Sequence, residues 1–306
     1  MTFLLKPCAF WICHNDRNSF YNSMSMKAIV SPLRKISFAI ACLATMALVA
    51  PQYAKAQCSA DNSAFKSGET LQYELFFNWK FVWIKVGSAT WNITQTTYNG
   101  KPTFCTTLTT RTSQKADKYF MMRDKLTSYR SLNLVPIYYQ KDAHEGGTLR
   151  QEKVWYSYPN GECSVKSWYR RDKNEPCEQT YQSRYCCFDM LSMMLRARSF
   201  DPSKYKVGQR IPFLMTEGRH IEWRTLVYRG KKNFKMEGKT TTYRCLVFSY
   251  LEKENGKEKE IVKFYVTDDS NHLPVRIDLN LRFGTAKAYL CGMAGVRHPQ
   301  TSIIKK

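Results

Sequence analysis

Apolar and polar residues alternate with a period of two through most of this chain, and that period fits strands rather than helices. Leu71, Tyr73, Leu75, Phe77 and Trp79 are apolar at every second position with mostly polar residues between, the pattern of a half-buried strand. A second strand is expected over 83–97, with Gly87 as a bulge or bend. Tyr98-Asn99-Gly100-Lys101 is a hairpin signal, because Asn-Gly accepts the positive φ of a type I′ turn, and a Thr-rich partner over 103–110 follows it. Similar segments recur at 125–131, 135–143, 149–158, 163–170, 210–216, 220–229, 243–251, 260–267, 274–281 and 284–290. Pro159-Asn160-Gly161, Asp172-Lys173-Asn174-Glu175-Pro176 and Asn255-Gly256 punctuate them as turns.

One segment has helical period instead. Over 186–199, Asp189, Ser192, Arg196 and Ser199 form a narrow polar stripe at steps of three and four, while Phe188, Met190, Leu191, Met193, Met194, Leu195 and Ala197 cover the rest. Such a helix must be largely buried. Asp189 near its start and Arg196 and Arg198 near its end suit the macrodipole, and Asp201-Pro202 stops it. The expected fold is mainly β: a curved antiparallel sheet or open β-barrel packed on one central helix, with a two-sheet β-sandwich as the alternative.

The N-terminus carries an export pattern that begins at Met26. Lys27, Arg34 and Lys35 give a positive start, residues 36–50 an uncharged and mostly apolar run, and Ala54-Lys55-Ala56 a cleavage site. The run is shorter than the roughly 20 residues a bilayer requires, and neither Cys42 nor Cys58 sits in a convincing lipoprotein motif. The expected organisation is a disordered start-site artefact over 1–25, a signal peptide over 26–56 and a single β-rich domain over 57–306. The product is placed in the periplasm or outside the cell, with no membrane span after cleavage.

Residues 57–306 hold 41 Lys and Arg against 24 Asp and Glu, a net charge of +17. A charge of this size attracts polyanions. Outside the cytoplasm these are anionic lipid, lipopolysaccharide and acidic glycan rather than nucleic acid. Eight cysteines fall in the same range, which permits one or two disulfides in an exported protein. Cys163 with Cys177, Cys186 or Cys187 is the local candidate. No Cys-x-x-Cys occurs, so a zinc ribbon or thioredoxin motif has no support.

Several segments together resemble a family of exported bacterial proteins known as domain of unknown function 3108. They are Phe65-x-x-Gly68-Glu69-x-Leu71-x-Tyr73, Val86-Gly87-x-Ala89, Arg123-Asp124-x-x-x-Ser128-Tyr129, Pro136, His144-Glu145-Gly146, Phe188-Asp189-Met190-Leu191-Ser192 with Arg196, Leu273-Pro274-Val275-x-Ile277, and Gly284 with Ala286 and Ala288. Phe188 stands where the family often has Tyr, and Met193-Met194 replaces its small or aromatic residues. The resemblance implies an exported β-rich protein and no activity. In it, Phe188, Asp189, Leu191, Ser192, Met194 and Arg196 form a structural helix.

No nucleophile–base arrangement stands out. There is no Gly-x-Ser-x-Gly, and His144, His220, His272 and His298 sit beside charges or turn formers. His220-Ile221-Glu222 offers two side chains on one strand face, too few for a metal site, and Asp268-Asp269-Ser270-Asn271 reads as a turn. No metal, cofactor or catalytic residue is assigned. Asp124, Glu145, Asp189, Glu217 and Glu222 are the carboxylates open to a glycan hydrolase or lyase. Asp189 reads first as a helix cap or a partner of Arg196 or Arg123, and Glu69 as a turn residue. Arg170, Arg171, Lys173 and Trp168, together with Tyr228 and Arg229, place cations beside aromatics at strand ends, which suits sugars, lipid head groups or phosphates. The leading expectation is a non-enzymatic binding or carrier protein for an amphiphile or anionic envelope polymer. A carboxylate-based envelope glycan hydrolase or lyase and a structural envelope partner are the alternatives.

Overall fold

A computed structural model describes residues 58–79, 82–236, 240–254, 256–281 and 284–305. The expectations of a start-site artefact and a signal peptide, and the Asn255 half of one hairpin, lie outside the described residues.

Strands dominate, as the alternation requires. They are β1 (Glu69–Trp79), β2 (Val82–Tyr98), β3 (Lys101–Thr112), β4 (Met122–Ser131), β5 (Pro136–Glu145), β6 (Thr148–Ser157), β7 (Cys163–Arg171), β8 (Cys177–Ser183), β9 (Cys187–Phe188), β10 (Arg210–Glu217), β11 (His220–Lys235), β12 (Thr242–Glu254), β13 (Lys257–Thr267), β14 (Pro274–Leu281), β15 (Gly284–Ala294) and β16 (Ile303–Lys305). Among the described residues two α-helices accompany them: the four-residue α1 (Gln114–Asp117) and the nine-residue α2 (Met190–Arg198).

One hydrogen-bonded path runs β8-β7-β6-β5-β4-β3-β2-β1-β15-β14-β13-β12-β11-β10-β9, and β16 pairs with β12 off that path. Every neighbour is antiparallel except β9 with β10. The chain closes between β1 and β15, where Leu71 faces Met293 and Tyr73 faces Leu290. The result is a nearly closed, barrel-like sheet, and its continuity through fifteen strands sets aside the two-sheet sandwich. The two free ends, β8 and β9, meet through side chains rather than a ladder. Tyr181 of β8 donates to the Arg219 carbonyl at the β10–β11 turn, and Cys163 of β7 shares one buried cluster with Cys187 of β9.

The turn chemistry follows the sequence. Asn99 and Gly100 both take positive φ, 49° and 74°, and Tyr98 pairs with Lys101 across them. At Gly87 the register of β1 on β2 shifts, and a Cβ there would sit 2.3 Å from the Arg111 carbonyl oxygen, so only glycine admits this approach of β3.

The helical segment is shorter than its period suggests. Residues 187–188 pair in register with Leu214 and Met215 of β10, and the helix starts at Met190. An apolar run of this length fits either a buried strand or a buried helix, and the Asp189 cap decides where one becomes the other. Leu191, Ser192, Met193, Leu195 and Arg198 are buried. Leu191 packs with Leu126, Val154 and Val165, Leu195 joins the cluster around Phe65, Leu71 and Trp91, and Met193 joins Phe188, Phe213 and Leu226. Burying each of these side chains stabilises the fold by roughly 1.5–3 kcal/mol, so a helix this short is held by the sheet it touches rather than by its own propensity.

The expected pairing of Cys163 with Cys177 or Cys186 is corrected. Cys186 bonds Cys58 in a disulfide spanning 128 residues, which ties the segment before β1 to the start of β9. The sequence signal missed it because the partners lie far apart along the chain.

Candidate functional site

The sequence-selected cations and aromatics do not form one site. On β7, Trp168 lies between the Lys153 ammonium, 5.0 Å from its ring, and the Arg170 guanidinium, 5.7 Å away. Arg170 is further held by two bonds to Gln151 Oε1, at 3.1 and 2.6 Å. Arg171 turns to the other face and pairs with Asp172 at 3.6 Å, and Lys173 is exposed in the turn. Tyr228 on β11 is only 4% exposed and packs with Tyr205 and Phe248, so it serves the core.

Arg229 belongs to a second group. It occupies a bulge of β11, between Tyr228 and Gly230 in the register with β12. A bulge re-aims its side chain, and Arg229 Nε donates to Ser249 Oγ at 3.0 Å. Around it a cleft of about 410 Å³ is lined by Arg229, Lys231, Lys232, Lys263, Glu260, Val247 and Tyr265. Glu260 is the lone acid of this lining. Burial alone would raise its carboxyl, but the Ser249 hydroxyl and the Lys263 ammonium, 3.0 Å away, outweigh that and hold it below the usual range. Lys231 is anchored to Asp268 at 2.8 Å, whereas Lys232 has no carboxylate partner among the described residues. With Lys263 answered by Glu260 and Lys231 by Asp268, Arg229 and Lys232 leave the cleft net positive. The sequence reading singled out Arg229 but could not bring Lys263 and Glu260 to it from β13.

The carboxylates open to catalysis separate into three places. Asp124 on β4 and Glu145 on β5 are diagonal neighbours across the ladder, and Glu145 pairs with Arg150. Burial first, then the Glu145 charge, push the Asp124 carboxyl up to about 7. Glu217 and Glu222 both bind Arg224, at 3.1 and 2.5 Å. Asp189 is fully buried and caps α2. Its Oδ1 accepts from the Ser192 N–H at 2.9 Å, and its Oδ2 accepts from Ser192 Oγ at 2.6 Å and Ser128 Oγ at 3.1 Å. Of its two expected roles the structure selects the cap. Arg196 instead donates to the Cys58 and Ser59 carbonyls and lies over the Phe188 ring, while Met194 packs half-buried against the main core. The cation nearest Asp189 in effect is Arg130, which sequence reasoning did not single out. It donates to Thr106 Oγ1 at 3.2 Å, and its Nε and Nη2 are buried without partners. Burial lowers it to about 10, so it stays charged at neutral pH.

The family model described as Protein of unknown function (DUF3108) matches residues 72–290. The chain belongs to this family. The match runs from β1 to β15 and so takes in both the DUF3108 cleft and the helix network. No curated protein matches the chain. Among solved structures, the crystal structure of a beta-barrel-like protein of domain of unknown function DUF1849 from Brucella abortus is similar to it. The TM-score is 0.52 and the identity 11%, over 77% of this chain and 100% of that one. At that identity the likeness speaks for the barrel-like fold of the DUF3108 chain alone.

Proposed function

We propose that this protein is a non-enzymatic binding or carrier protein of the cell envelope whose ligand carries phosphate or carboxylate groups. The observation behind this reading is the cleft on β11–β13, where Arg229, Lys231, Lys232 and Lys263 surround about 410 Å³ with Tyr265 and Val247 as its apolar floor. Cations beside an aromatic ring suit an anionic head group or an acidic sugar. The net charge of +17 over residues 57–306 adds long-range attraction to such a surface. In this reading the export pattern delivers the chain to the periplasm, and α2 is the central plug on which the barrel is built, leaving recognition to the sheet's surface.

The glycan hydrolase reading draws on Asp124 beside Glu145, since the raised Asp124 carboxyl is the kind of perturbation found at catalytic sites. Glycoside hydrolysis, however, needs both carboxyl groups free to act on the sugar, and Glu145 is committed to Arg150. Binding is therefore the better supported reading.

Binding to vesicles containing phosphatidylglycerol and to an acidic polysaccharide, each at low and high salt, tests the proposal and separates a lipid source from a glycan source. Lys232→Ala and Lys263→Ala are each expected to weaken binding about fivefold, from roughly 1 kcal/mol per cation near an anionic surface. Equal binding by wild type and the double variant, on both probes, would remove the cleft from consideration.

A further inference from the structure

We propose that Cys163 and Cys187 are the two halves of a second disulfide that covalently closes the seam of the barrel. Three observations converge on this pair. Cys163 opens β7 and Cys187 opens β9, so the two thiols stand on opposite sides of the gap between the free ends of the strand path. Cys163 pairs with Ser183, the last residue of β8, and the chain turns from there to Cys187 in four residues, the Cys187 thiol reaching the Tyr185 carbonyl oxygen at 3.8 Å within that turn. Both residues are fully buried, in one cluster with Leu126, Val154, Val165 and Leu191, so the packing already holds the sulfurs together without help from a bond.

The remaining free cysteines sort differently. Cys105 is on β3, Cys245 on β12 and Cys291 on β15, each away from the seam, and Cys177 is at the far end of the β7–β8 pair from Cys163. The neighbour of Cys187, Cys186, is already bonded to Cys58. With both bridges made, the short strand β9 would be pinned on one side to the segment before β1 and on the other to β7. The residue that follows β9 is the α2 cap, Asp189, so closure of the seam fixes the entry into the helix.

The chemistry is ordinary thiol–disulfide exchange. A Cys163 thiolate attacks a sulfur of an external disulfide, small-molecule or protein, and expels one thiolate. The Cys187 thiolate then attacks the Cys163 sulfur of the mixed disulfide and expels the second thiolate. One S–S bond forms in the protein, one is broken in the oxidant, and the two protons leave with the two expelled thiols. Hydrogen bonding from Cys187 lowers the Cys163 thiol and makes it the attacking partner. Because the native sulfurs are buried, exchange proceeds while the seam is open, during folding or local opening.

Peptide mapping after oxidation decides the matter. The full chain is treated with glutathione and its disulfide in two arms, once as native protein and once during refolding from the reduced, denatured state, then alkylated in denaturant and digested. The expected result is a Cys163–Cys187 linked peptide pair in the refolding arm, with Cys105, Cys177, Cys245 and Cys291 alkylated. Cys163→Ser should return Cys187 to the alkylated pool while Cys58–Cys186 persists. Full alkylation of Cys163 and Cys187 in both arms, or Cys187 linked to Cys58 or Cys186, would overturn the proposal.

Discussion

At its N-terminal end α2 holds a carboxylate among hydroxyls, and at its C-terminal end it holds a guanidinium against a carboxylate. Asp189 is surrounded by Ser128, Ser192 and the first turn's N–H, and its nearest cation, Arg130, makes no direct bond to it. Arg198 meets Glu69 with both terminal nitrogens, Nη2 at 3.0 Å from Oε2, and Nε and Nη2 also donate to the Asn271 carbonyl at 3.2 and 3.0 Å. Phe65 and Trp91 line the guanidinium at 5.5 and 6.0 Å. Both ends are buried from bulk solvent, and they differ in how the charge is answered. An ion pair concentrates the whole answer in one partner, whereas a capped carboxylate spreads it over several weaker ones. The C-terminal end should therefore fail sharply when one residue is lost, and the N-terminal end by degrees.

The largest effect is expected from Arg198→Ala, which strands Glu69 as a buried carboxylate and should cost about 3–5 kcal/mol. Urea denaturation measures it. The companion variant Glu69→Leu with Arg198→Met should recover most of that loss, because an apolar pair of similar size removes both desolvation costs. A loss below about 1 kcal/mol for Arg198→Ala would place the pair among ordinary surface bridges and end the contrast.

Asp189→Ala should cost less, about 2 kcal/mol. It removes a helix cap and leaves the Ser192 N–H and two hydroxyls without their acceptor. Asp189→Asn keeps an acceptor for the Ser192 N–H and should retain most of the wild-type stability near neutral pH. If Asp189→Ala proved as costly as Arg198→Ala, the distributed answer would be no more tolerant than the concentrated one.

The sequence made these two ends unequally legible. Strand identity was readable almost throughout, because alternation survives in every segment with one buried face, and β14 occupies the 274–281 expected of it. β8 was not readable: Cys177–Ser183 alternates half-buried with exposed residues and has no apolar face to announce it. Asp189 was readable as a cap from its place before an apolar helix. Glu69 was not, since a Gly-Glu step looks the same whether it holds a turn or reaches into the core, and its partner lies 129 residues away. The cleft was half visible for a similar reason. Arg229, Lys231 and Lys232 are neighbours in sequence, but Lys263 and Glu260 reach them only through the β12–β13 register. Local patterns fix what a residue's strand does, and pairing across the sheet decides what its side chain meets.

The smallest effect is a dependence on pH, and it isolates the N-terminal end. Burial raises the Asp189 carboxyl above its ordinary range, outweighing the opposing pull of Arg130, the Ser192 hydroxyl and N–H, and Ser128. An acid whose folded pKa exceeds its unfolded value binds its proton more tightly when folded. Its favourable contribution is therefore greatest in acid and declines as pH rises from about 4 through the raised folded value. Arg130, at about 10, stays charged across that window, and the tyrosines facing Asp189, Tyr139 and Tyr156, are pushed further up by burial, so neither changes state there. Asp189→Asn cannot titrate. The stability of wild type minus that of Asp189→Asn should then fall as pH rises from about 4 through the raised folded value, while Asp124, pushed up to about 7, contributes equally to both proteins and cancels. Urea midpoints at four pH values would trace the curve. A flat difference would mean that the hydroxyls and Arg130 together answer the Asp189 charge as completely as Arg198 answers Glu69, and the two ends of the helix would no longer differ in kind.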